Sequence, residues 1–263
     1  MKTNTLPVLE GPVRLEPLEE GAVWSLLLDT PKANVLDAPK VRALSNAFRA
    51  AAQTDDLKAV LIEGAGAHFS FGASVEEHLP QTCAAMLSNF HGLFRVMLAA
   101  SVPSVAVVRG QCLGGALELA SFCTRVVAAP DAQLGQPEIK LGVFAPVASV
   151  FLHERVGRAR AEDLCVTGRS VDAREALAMG LVDEVAEDPR AAALGWVREH
   201  LLPLSASSLR LALRAARSTL AERLPRQLER LETLYLGELM STQDAREGLR
   251  SFLEKRQPRW RNA

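Results

Sequence analysis

The chain has 263 residues, 48% of them apolar and 23% charged, with a formal net charge of −1. That balance fits one sizeable globular domain, or a domain with an appended lobe, and excludes a disordered polyelectrolyte. With no basic excess there is no electrostatic footprint for nucleic acid.

The first twenty residues, MKTNTLPVLEGPVRLEPLEE, alternate polar and apolar types and lack a continuous apolar region, so no signal peptide is expected. No apolar run approaches bilayer length, and a cytoplasmic location is the expectation. The cysteines Cys83, Cys112, Cys123 and Cys165 form no CxxC pair, which favours reduced thiols. The histidines His68, His78, His91, His153 and His200 show no ligand spacing, so no metal is expected.

Strands are predicted at Val23–Asp29, Ala59–Gly64, Ser104–Gly110 and Arg125–Asp131, each a short β-rich run. Helical spacing lies between them. Val41, Leu44, Ala47, Phe48 and Ala51 share one face, and so do Met86, Phe90, Leu93, Phe94 and Met97. Alternating strands and helices predict an α/β fold with buried strands. After about Asp188 no convincing strand remains. Leu224, Leu228, Leu231 and Tyr235 form a helix stripe, and Pro225 is read as the first turn of a restarted helix. A last helix is predicted from Ser241–Thr242 to about Arg256, with Ala245, Leu249, Phe252 and Leu253 on its apolar face. The expected division is a core over 1–190 and a helical region over 191–263.

The stretch GQCLGGALELASFC, Gly110 to Cys123, places glycines between a strand and a helix, with Glu118 inside the apolar run. Three readings stay open on these residues alone. One is a tight structural turn. A dinucleotide site is the second, against which stand the GxxxGG spacing and the missing GK[ST]. The third is an oxyanion site, because a helix N-terminus offers unpaired N–H groups and Gly115 lets an acyl oxygen approach. Glu118 then lies about one helical turn away, near the same opening. This last reading calls for a second donor and a second acid. GAHFSFGASVEEHLP, with Ala73 and Ser74 before a possible helix start, offers the donor, and LGQPEIKLGV, with Glu138 in a loop, offers the acid.

Over most of its length the sequence resembles the crotonase, or enoyl-CoA hydratase/isomerase, superfamily. The matching segments are DTPKANVLDAPKVRAL, HFSFGAS, RGQCLGGALELASFC, APDAQLGQPEIKLGV, TGRSVDAREALAMGLVDEV and REGLRSFLEKR. The resemblance implies a ββα spiral core carrying the active site over 1–190 and a C-terminal helical trimerisation region over 191–263. It also implies an oxyanion hole from the Ala73 and Gly115 amides and two catalytic glutamates, Glu118 and Glu138, 20 residues apart. Coenzyme A, which enters as part of the substrate and not as a separate cofactor, is expected near Lys32, Ala33, Phe252 and Lys255. Ser74, Val75, Gly114, Phe144 and Pro146 complete the implied substrate contacts. Two departures stand out: Ser74 occupies a position where the family usually has Asp, and Ala116 replaces the last glycine of a GGG run.

FSFGASVEEHLP with GQPEIKLGVFAPVAS looks most like the hydratases of cyclohexa-1,5-diene-1-carbonyl-CoA. Phe144, Pro146 and Val147 would then wall a flat ring. The implied activity is hydro-lyase chemistry: addition of water to a conjugated enoyl- or dienoyl-CoA. The glutamates would divide proton acceptance and donation, and a homotrimer or homohexamer is expected, with neither nucleic-acid nor membrane partners. A straight-chain hydratase, an isomerase of the same family and a non-catalytic acyl-CoA-binding protein are the competing readings.

Overall fold

The computed structural model describes residues 11–30 and 32–263; the reading of the first ten residues lies outside them. The chain opens with an antiparallel pair, β1 (Val13–Leu18) and β2 (Val23–Leu28), in which Val13 faces Leu28. Helix α1 (Ala38–Ala52) is capped by Asp37, whose side chain accepts from Lys40 N, and carries Pro39 in its first turn. Next come β3 (Ala59–Gly64), α2 (Cys83–Ala100), β4 (Ser104–Val108), β5 (Gln111–Leu113), α3 (Gly115–Phe122), β6 (Arg125–Ala128) and β7 (Gln133–Gly135). The strand expected over Ser104–Gly110 stops at Val108. Gly110, at φ 50°, turns the chain there, and a Cβ on it would lie 2.3 Å from Ala67 O.

Helices α4 (Pro146–Val156) and α5 (Arg158–Thr167) precede β8 (Ser170–Asp172), α6 (Ala173–Met179) and β9 (Glu184–Val185). From there on the described elements are helical: α7 (Pro189–His200), α8 (Ala206–Ala216), α9 (Ser218–Gly237) and α10 (Gln243–Leu253), with one short 3₁₀ turn. The large sheet runs β1-β2-β3-β4-β6-β9, parallel after the first pair, and a smaller one runs β5-β7-β8. The passage from β4 through β5 to α3 is a strand–strand–helix step, the winding expected of a ββα spiral.

Side chains of successive strand residues point to opposite faces, and the core divides accordingly. Val60, Ile62, Ala106 and Val108 enter the main core with α1, α2, α3 and α4. Ala59, Leu61, Val105 and Val107 enter a second cluster sealed by Ala193, Val197 and Leu201 of α7 and its end.

Three expectations need correction. Pro225 does not restart a helix; it sits inside α9. The carbonyl that loses its N–H partner there belongs to Ala221, which is exposed and open to water. Leu224 and Leu228, both fully buried, hold the other side of the helix to the core. Helix α10 begins where expected, with Thr242 Oγ1 accepting from Ala245 N, but ends at Leu253, three residues early. Helix α2 is long and apolar enough to cross a membrane by length and composition, contrary to the sequence reading. Its Leu93 and Phe94 are fully buried in the protein core.

The segment between β2 and α1 is fixed by Asn34, buried at φ 45°, a left-handed conformation that Asn tolerates. Its Oδ1 accepts from Thr30 N (3.1 Å), and its Nδ2 donates to Ala65 O and His68 O (both 2.9 Å). Asn34→Ala removes all three bonds and leaves two half-buried carbonyls short of a donor. The expected loss is about 2–4 kcal/mol in equilibrium urea denaturation. An unchanged midpoint would show that this clamp contributes nothing.

Candidate active site

The site begins with a close approach of two backbone segments. Residues 70–73 run alongside β5: Ser70 N donates to Gln111 O (3.0 Å), and Leu113 N donates to Ser70 O (3.1 Å). On their other side Leu36 N donates to Gly72 O (2.8 Å), and Leu36 forms a parallel bridge with Ala73. Gly72 has φ 96°, and a Cβ on it would lie 2.5 Å from Leu113 O. Only glycine permits that packing. Its consequence is that the Ala73 nitrogen reaches Gly115: a Cβ on Gly115 would lie 3.3 Å from Ala73 N. Gly115 is the first residue of α3, whose opening N–H groups have no intrahelical partner. Two amides from distant parts of the chain therefore meet beside one another.

The two glutamates lie next to this pair. Glu118, only 3% exposed, sits at the end of the first turn of α3. Its Oε1 accepts from Ala148 N (2.7 Å), and the Val147 N–H also favours its charged form. These are the opening amides of α4, started by Pro146, so the positive end of α4 faces the carboxylate. Glu138 lies on a 3₁₀ turn, Pro137–Leu141, with its Oε2 shut off from solvent and without a hydrogen-bond partner among the described residues. A Cβ on Gly114, at φ 56°, would lie 2.6 Å from Glu138 Oε1, so glycine is required there too. Burial pushes Glu118 up to about 7, against the pull of the Ala148 and Val147 amides. Burial and then the charge of Glu118 push Glu138 up to about 8, its own backbone N–H opposing. Two carboxyls so placed hold one proton between them near neutrality.

A cavity of about 410 Å³ joins the two amides and Glu138. Ala73, Gly115, Gly114, Val75, Glu138 and Phe252 line it, the last at its mouth and 54% exposed. Glu118 lies outside the lining, held against α4. Several other expected contacts are not on the cavity wall. Ser74 is buried, and its Oγ donates to Glu76 Oε2 (2.9 Å). Ala33 is one step removed, its carbonyl accepting from Phe71 N (2.9 Å). Lys32 and Lys255 are exposed. Phe144 packs its ring on Tyr235, centroids 5.1 Å apart, and Pro146 is buried at the start of α4. The apolar wall comes instead from Leu113, Leu141, Val143 and Phe71.

Sequence reasoning missed His78, Arg256 and Pro258, which also line the cavity. His78 Nδ1 lies 2.7 Å from Ser74 O, and since a carbonyl only accepts, that nitrogen carries the hydrogen and Nε2 is the acceptor. Burial lowers its basicity and keeps the ring neutral. The one available signal was its place five residues beyond Ala73. The C-terminal segment folds back along α10, with Arg261 N and Asn262 N donating to Asp244 (both 2.7 Å) and Arg259 N to Glu247 (2.9 Å). Nothing in the periodicity of that segment announces this.

Both glutamates hold protons in the folded state that the unfolded chain, titrating near 4.5, would release. Their contribution to stability is therefore present below pH 4.5 and lost as pH rises through about 7 to 8. Glu138→Gln is expected to exceed the wild type in stability by about 1–3 kcal/mol at pH 9, with the gap closing toward pH 4. Urea denaturation across that range reads it, and a gap independent of pH would contradict the assignment.

The enoyl-CoA hydratase/isomerase family model matches residues 19–263. Cyclohexa-1,5-dienecarbonyl-CoA hydratase of Thauera aromatica is 52% identical over 252 residues, covering 96% of this chain and 98% of that protein. A probable enoyl-CoA hydratase of Mycobacterium leprae is 35% identical over 249 residues, covering 90% and 94%. Among solved structures, a putative enoyl-CoA hydratase from Mycobacterium avium paratuberculosis K-10 superposes with a TM-score of 0.85 at 27% identity, covering 95% of this chain and 99% of that one. The fold, the order of the motifs and these likenesses agree: the chain belongs to the enoyl-CoA hydratase/isomerase family.

Proposed function

We propose that this protein is an acyl-CoA hydratase that adds water to cyclohexa-1,5-diene-1-carbonyl-CoA, forming 6-hydroxycyclohex-1-ene-1-carbonyl-CoA. The observation that carries this reading is the pair of amides, Ala73 and Gly115, with two buried carboxyls near them, both raised by burial above the usual carboxylate range. The 52% identity to the Thauera enzyme supports the choice of a cyclic dienoyl substrate.

The thioester makes the β-carbon electrophilic. Attack by water sends charge to the thioester oxygen, where the Ala73 and Gly115 N–H groups stabilise it. One carboxylate takes a proton from the water while the other carboxyl gives its proton to the far end of the dienolate. The pair ends with one proton, as it began, so the site resets without an outside acid. The opening amides of α4, Ala148 and Val147, stabilise the charged form of Glu118, which favours it as the ionised base. Glu138, pushed higher by its neighbour, is then the acid. Coenzyme A arrives as part of the substrate, and none of these steps calls on a separate cofactor. Assembly as a homotrimer or homohexamer would cover exposed apolar side chains such as Leu211 of α8, 60% exposed, and Val166 of α5, 70% exposed.

Glu118→Gln and Glu138→Gln should each lower kcat by about 10²–10⁴, and near-normal hydration by either would refute the two-carboxylate scheme. Assayed on crotonyl-CoA and on cyclohexa-1,5-diene-1-carbonyl-CoA, the wild type should prefer the cyclic thioester. Preference for crotonyl-CoA would replace the proposal with a straight-chain hydratase. Light scattering should give a trimer or hexamer; a monomer at micromolar concentration would remove that part of the proposal.

A further inference from the structure

Lys40 occupies an unfavourable place. It is fully buried, and it lies in the first turn of α1, where the helix presents its positive end. Helix stability does not account for a cation there. Its contacts point elsewhere. The Nζ donates to Val35 O at 2.8 Å and to Thr30 Oγ1.

Val35 O belongs to the same peptide group as Leu36 N. That N–H donates to Gly72 O at 2.8 Å. Gly72 O in turn belongs to the same peptide group as the Ala73 N–H. No peptide bond among the described residues is cis, so in each group the carbonyl and the N–H point in opposite directions. A continuous series results: ammonium, peptide 35–36, peptide 72–73, oxyanion amide. A charged donor at one end of such a series polarises each group in turn, and this effect is strongest in a desolvated interior.

We propose that Lys40 is a positioning residue that strengthens the Ala73 amide as an oxyanion donor by polarising it through two peptide groups. Burial lowers the Lys40 ammonium to about 8, while Asp37 and Asp29 pull it upward, so it remains mostly charged at neutral pH. The two amides of the oxyanion hole are thus sharpened by different means, Gly115 by the α3 terminus and Ala73 by a buried cation. This rests on the reading of Ala73 and Gly115 as the acceptor site for the thioester oxygen.

The test uses benzoyl-CoA labelled with ¹³C at its thioester carbonyl, a flat ligand that the hydratase leaves unreacted. Infrared difference spectra report how far the site lowers the carbonyl stretch. The wild type should lower it; no lowering would sink the oxyanion reading itself. Lys40→Met removes both donor and charge, and Lys40→Gln keeps a donor without the charge. Loss of a whole oxyanion donor costs about 10²–10³ in kcat, so weakening one should cost roughly tenfold, with KM within about twofold. Both variants should lose a substantial part of the downshift, the methionine variant more. A glutamine variant that keeps the native circular dichroism and the full wild-type downshift overturns the proposal, whatever the methionine variant does. If the glutamine variant does not fold, a folded methionine variant with the full downshift overturns it equally.

Discussion

The protein depends on the contact between the backbone at 70–73 and the backbone at 113–115. Gly72 allows it, because a Cβ there would come 2.5 Å from Leu113 O; Gly114, whose Cβ would lie 2.6 Å from Glu138 Oε1, makes room for the acid beside it. Everything chemical follows from that packing. It sets Ala73 N beside Gly115, directs the start of α3 at the cavity, and leaves room for Glu138 against Gly114. Main-chain donors fixed in this way are already oriented before a ligand arrives, which is what the proposed oxyanion role asks of them.

The carboxyl pair is placed with equal economy of parts but at an energetic disadvantage. Burying two acids together raises both and favours a single shared proton. The two are not equivalent, because the first amides of α4 reach Glu118 and none of them reaches Glu138. This asymmetry gives a symmetric-looking pair a direction. Reactive groups of this kind lower the stability of the folded chain above neutral pH, a frequent compromise at active sites.

Much of the fold was legible. Helical spacing marked α1 and α2, and β-rich runs marked β2, β3, β4 and β6. The misses have local causes. Gly110 looked like a strand end and proved to be a change of sheet, because its positive φ is invisible to periodicity. Pro225 was read as a helix start because one missing N–H looks the same whether or not packing outweighs it. Residue types and order left three readings of the glycine junction open, and the family resemblance is what named Ala73, Gly115, Glu118 and Glu138 together. Neither named the wall: Phe144 faces Tyr235, and Leu141 and Val143 take the place foreseen for Phe144 and Pro146. Ser74, a departure from the family pattern, turns to Glu76 and stays off the cavity.

The sequence by itself determined the alternation of strands and helices, the glycine junction and the presence of two acids, since each follows from residue type within a few positions. Only the tertiary structure decided that Ala73 meets Gly115, that α4 points its amides at Glu118, and that Lys40 reaches Val35. Those contacts join turns and loops whose directions come from positive φ values and from burial, and such quantities exist only once the whole chain has packed.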